Sequence, residues 1–169
     1  PLLNSPEELR VRAAEQGYLF FRGLLDPALV FDLRRQILEV CGKHGWLDQE
    51  APLMDGISRD GSLFIEGHSP EWIAFYTDVQ RLRAFNSLAL DPALMAMFET
   101  LFGEPVLPHS RNICRVIFPN ALTHTTPPHQ DYIHIQGSPD VWTAWLPLGD
   151  CPHNLGAVSY THLTLPPKA

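Results

Sequence analysis

Residues 126–150 read "TPPHQDYIHIQGSPDVWTAWLPLGD", and the fold turns on whether this run is strand. "YIHIQG" (132–137) and "DVWTAWLPLG" (140–149) are short, rich in β-branched and aromatic residues, and punctuated by Gly and Pro, as strands are. The second run is apolar on both faces, as a strand covered on both sides would be. On a strand, side chains two apart share a face. His129 and Asp131 would then project together, with Gln130 facing away and His134 on the opposite face from Asp131. An imidazole and a carboxylate so placed can reach one divalent ion, and a distant second histidine would complete a two-histidine, one-carboxylate facial triad with open coordination positions. The spacing alone is weak. With eight histidines in the chain, chance gives roughly half a His-x-Asp occurrence. A surface His and Asp beside a turn remains the alternative.

Upstream, "PVLPHSRNICRVIFP" (105–119) has the same β-rich grammar, whereas residues 5–103 read mainly as helix. Ser5-Pro6-Glu7-Glu8 has the pattern of a capped start with Pro in the first turn, and Gly17 a stop. Asp26-Pro27 opens a second helix, whose end Gly42 marks near Lys43. Leu29, Leu33, Ile37 and Cys41 fall four apart and form one core-facing stripe. Ser69-Pro70-Glu71 opens a third helical segment, and Asp91-Pro92 a further one that Gly103 closes. Trp, Phe and Met residues at helical spacing here read as core packing. Between these helices, "YLFFRG" (18–23) suits a buried strand, and residues 46–68 suit a loop over a site mouth.

The formal net charge of −7 gives no reason to expect a nucleic-acid partner. No apolar run approaches membrane-spanning length, so no membrane partner is expected. Cys41, Cys114 and Cys151 are odd in number and widely spaced, which argues against a disulfide framework or zinc ribbon and for a cytoplasmic location.

"PPHQDYIHIQG" (127–137), followed by "WTAWLPLGDCP" (142–152) and Leu155-Gly156, resembles the phytanoyl-CoA dioxygenase family of Fe(II)- and 2-oxoglutarate-dependent oxygenases. "YLFFRGLLDPALV" (18–30), "VQRLRAFNSLALDPALMAMFETLFGEPV" (79–106) and "RNICRVIFP" (111–119) fit the N-terminal half of its bacterial members. The resemblance implies an α+β protein, a double-stranded β-helix or cupin-type jelly roll with N-terminal helices packed on it. It implies His129 and Asp131 as two iron ligands, Trp145 packed on 2-oxoglutarate, and Arg115 near the same co-substrate. The activity implied is hydroxylation of a small-molecule or acyl substrate by O2, with Fe(II) as cofactor and 2-oxoglutarate as co-substrate.

The family's second histidine and its co-substrate arginine are not matched. The only later histidines are His153, in a Pro-Asn-Gly loop, and His162, in "AVSYTHLTLPPKA" (157–169), which departs from the family pattern. The resulting expectation is a C-terminally truncated member with an incomplete jelly roll. Residues 1–156 would form a single domain, helical over about 5–103 and β-rich over about 104–156, followed by a non-native tail at 157–169. Such a chain is expected to be inactive. A non-catalytic jelly-roll binding module, or a cupin-like enzyme using zinc or manganese, are the alternative readings. Oligomeric state is not legible.

Overall fold

The computed structural model describes residues 3, 5–61, 65, 67–119, 129, 131–138 and 140–152. The chain divides into two compact units, residues 1–129 and 130–169.

The first unit is built of helices that start where the sequence punctuates them. α1 spans Pro6–Gln16, and Gly17 ends it in the left-handed region, at φ 71°. Ser5 flanks its start without accepting a side-chain capping bond. α2 spans Pro27–Lys43, and Asp26 Oδ1 accepts from Ala28 N at 2.9 Å. α3 spans Pro70–Gln80, with Ser69 Oγ accepting from Trp72 N at 3.1 Å. α4 is a short turn, Arg83–Ser87. α5 spans Pro92–Phe102, capped by Asp91 and closed by left-handed Gly103. In four of these helices Pro occupies the first turn, where its missing N–H has no intrahelical partner to lose.

The core forms where these helices meet. α2 packs on α3 and α4, and α1 on α5. Arg10 on α1 donates to the Thr100 carbonyl of α5 at 2.9 Å. Leu9, Leu33, Ile37, Val40, Cys41, Phe75, Val79, Phe85, Met97 and Leu101 are buried. The stripe of α2 is therefore real from Leu33 to Cys41, but Leu29 lies outside it, 50% exposed. Gly42 lies inside α2, and the left-handed glycine past the helix end is Gly45, at φ 70°. Residues 46–61 are loop, with one 3₁₀ turn at Leu53–Asp55 and an isolated antiparallel bridge between Leu47 and Ser58. Trp46, at the loop's start, is 1% exposed and belongs to the core.

The strands expected from the sequence are absent among the described residues. Residues 18–23, 105–119 and 140–149 form no ladder, and "YIHIQG" is instead a one-turn helix, α6, at Tyr132–Ile135. The physical reason is the same throughout. A strand exists only as part of a ladder of backbone pairs with another strand, and no such ladder forms among the described residues. At 131–136 the backbone pairs with itself. Asp131 O accepts from His134 N and Ile135 N, both at 2.9 Å, and Tyr132 O from Gln136 N at 2.8 Å. Phe20, placed by its pattern in a buried strand, is 72% exposed. The described residues thus supply the α part of the expected α+β architecture and none of its jelly roll. Residues 157–169, read as a non-native tail, lie outside the described residues. No helix among those described is long and apolar enough to cross a membrane.

Candidate functional site

His129 closes the first unit, with its side chain exposed, and Asp131 lies in the second, part-buried. The premise that strand alternation aligns them fails at Asp131, whose φ of −61° and ψ of −30° are helical. Its carboxylate makes no capping bond to α6. Oδ2 accepts instead from Thr143 Oγ1, at 2.5 Å. The chain reverses between these two residues at Gln136 and Gly137, both with positive φ (59° and 96°). Asp140 N then donates to Ser138 Oγ at 3.1 Å. Trp145, two residues past Thr143, is 54% exposed, so its indole face is open rather than packed in a core.

Arg115 lies in the first unit, exposed, on the segment that follows α5. This segment is not a strand, yet it is held. Asn112 O accepts from Tyr76 Oη at 2.9 Å and from Gln80 Nε2 at 3.0 Å, which ties it to α3. Three residues past Arg115, the Phe118 ring meets Trp46 edge-on, with centroids 5.5 Å apart. Cys114, beside Arg115, sits in this apolar setting. Burial pushes its thiol up to about 11 and that of Cys41 to about 12, the charge of Cys114 adding to the second. The raised values favour the protonated thiol in both, the less nucleophilic form.

The donor chemistry of His129 and Asp131, one imidazole nitrogen and one carboxylate oxygen, suits Fe(II), Mn(II) or Zn(II). Among the described residues no group of three or more His, Cys, Asp or Glu side chains could hold a metal ion. Each of the two residues, taken by itself, is of a donor type that suits such a metal. His134 lies on α6, and His153 and His162 lie outside the described residues. Sequence reasoning missed Thr143. Its only signal is its place two residues before Trp145, which would share its face on an extended segment.

A protein-family model described as phytanoyl-CoA dioxygenase matches residues 13–162. The 1-deoxypentalenic acid 11-beta-hydroxylase of Streptomyces exfoliatus is 30% identical over 164 residues, 94% of this chain and 54% of that protein. The enzyme of the same name from Streptomyces arenae is 31% identical over 165 residues, again 94% of this chain and 54% of the relative. The chain thus spans about half the length of the curated relatives it matches. No solved structure gives a significant match.

Proposed function

The chain belongs to the phytanoyl-CoA dioxygenase family, and on that premise we propose that its function is that of an iron(II)- and 2-oxoglutarate-dependent hydroxylase. His129 and Asp131 are two of its protein ligands to iron. The observation that carries the reading is that the His-x-Asp pair and the downstream Trp145 fall inside the match over residues 13–162. The names of both relatives, each a hydroxylase, support the reaction type.

Bound iron would supply the oxygen chemistry, coupling decarboxylation of 2-oxoglutarate by O2 to hydroxylation of a C–H bond. The chain's own residues bind and orient. His129 contributes a neutral ring nitrogen and Asp131 an anionic oxygen, so the pair offsets one of the metal's two positive charges. That leaves the site cationic enough to attract a dianionic co-substrate. Trp145 presents a flat apolar face against which the carbon chain of 2-oxoglutarate packs and from which water is excluded. Arg115 offers a guanidinium to a carboxylate, in the charge-assisted geometry that Lys does not reproduce. A jelly roll completed around these residues is the fold the reading requires. The substrate is a small molecule or an acyl group, and the relatives' name makes a small organic acid the first to try.

The test joins residues 1–156 to the part of the Streptomyces exfoliatus relative that follows its own counterpart of Gly156. The chimera should release succinate from 2-oxoglutarate with Fe(II) and O2, and lose that activity on Asp131→Ala. A folded chimera that takes up Zn(II) or Mn(II) in preference to Fe(II), and forms no succinate, would favour a cupin-like enzyme with another metal.

A further inference from the structure

Asp131 stands immediately before α6, where an aspartate ordinarily accepts an N–H of the first helical turn. Its side chain makes no such bond. The amides of His134 and Ile135 go to its backbone carbonyl. The carboxylate Oδ2 is held from elsewhere, by the hydroxyl of Thr143, 12 residues on, at 2.5 Å. A hydroxyl donating to a carboxylate forms a charge-assisted hydrogen bond, stronger than one between neutral groups. It also fixes a torsion. With Oδ2 held, rotation about the Cβ–Cγ bond is restrained, and the direction of Oδ1 is set with it.

The geometry points to Thr143 as a positioning residue for a metal ion bound by Asp131. The inference rests on the metal role proposed for Asp131 and deepens it. A carboxylate that turns freely must lose that freedom when it ligates, whereas one already held by a hydroxyl has lost it on folding. The ion then meets a preset oxygen, and the hydrogen bond draws negative charge toward Oδ2 and tunes the donor strength of the ligating atom. A purely structural tie across residues 131–143 would need the same contact but would leave the metal's spectrum unchanged.

The experiment titrates the full chain with Co(II) and records its visible d–d absorption, for the parent, Thr143→Val, Thr143→Ser and Asp131→Ala. Thr143→Val, which keeps the shape and removes the hydroxyl, should weaken Co(II) binding by about 10–100-fold and shift the band, while Thr143→Ser should stay within about threefold of the parent. Asp131→Ala should abolish binding. If Thr143→Val fails to fold by far-ultraviolet circular dichroism, Thr143→Ala takes its place against the serine variant. A valine or alanine variant with the parent's affinity and band, alongside an inert Asp131→Ala, overturns the positioning role and leaves the metal reading standing. Parent and Asp131→Ala binding alike, or neither binding, overturns both.

Discussion

The indole nitrogen of Trp46 donates to Glu71 Oε1 across 2.7 Å, joining the end of α2 to the start of α3. The same indole meets Phe75 at 4.4 Å between centroids and Phe118 edge-on at 5.5 Å. Trp46 thus links the two helices and the segment that carries Arg115.

Trp46→Ala should destabilise the first unit by about 3–5 kcal/mol, the range for removing a large buried aromatic. Trp46→Phe keeps most of the ring and loses the hydrogen bond to Glu71, at a cost of about 1–3 kcal/mol. Urea unfolding followed by far-ultraviolet circular dichroism measures both. Equal costs for the two variants would mean that the bond to Glu71, rather than ring packing, carries the link.

Asp78 gives the unit an acid-sensitive joint. Its carboxylate takes Lys43 Nζ at 2.7 Å and His44 Nε2 at 3.1 Å, both at the end of α2, with Arg81 Nη1 at 3.6 Å on its own helix. The bond from Lys43, and then that from His44, hold its carboxyl below the ordinary range. A lowered folded-state value stabilises the native state fully above the unfolded value, about 3.9, and that stabilisation is lost as pH falls through the folded one. The urea midpoint should therefore drop between pH 5 and pH 2 by more in the parent than in Asp78→Asn. Parallel curves would remove Asp78 from the acid response.

The thiols differ in a way alkylation can read. Cys41 is buried on α2, and burial raises it to about 12 and Cys114 to about 11. Iodoacetamide at pH 8 should leave Cys41 unmodified in the native chain and modify all three cysteines in urea. Native labelling of Cys41 at the denatured rate would show that α2 opens faster than its packing implies.

The helices were legible because their signals are local. Ser69, Asp26 and Asp91 each cap the helix that the following proline begins, and Gly17 and Gly103 each end one. Leu29 shows the limit. Its spacing matches the stripe, but it sits in the first turn of α2, and which neighbour covers that turn is a tertiary fact. Strand pattern was legible in 105–119, 132–137 and 140–149, yet a strand is completed by its partner, and composition cannot supply one. With no strand partner among the described residues, residues 132–135 close a helical turn although Ile133 and Ile135 favour the extended state. The His-x-Asp pair is singled out by family resemblance, and its role is the proposal made above. The hold of Thr143 on Asp131 was not legible, because it depends on the reversal at Gln136 and Gly137, and Gln136 is not a residue that announces positive φ.

The central claim is that His129 and Asp131 bind iron together with 2-oxoglutarate. The most direct measurement is the anaerobic visible spectrum, with Fe(II) and 2-oxoglutarate, of the chimera that joins residues 1–156 to the relative's C-terminal part, taken beside its His129→Ala and Asp131→Ala variants. Chelation of Fe(II) by a 2-oxo acid gives a weak charge-transfer band that neither component shows alone. The account predicts this band in the unsubstituted chimera and its loss in both variants. It also predicts that their unfolding midpoints stay close to the parent's, since an exposed His and a part-buried Asp contribute little core area. A band that persists unchanged in both variants, or that never forms while Zn(II) binds tightly, would contradict it.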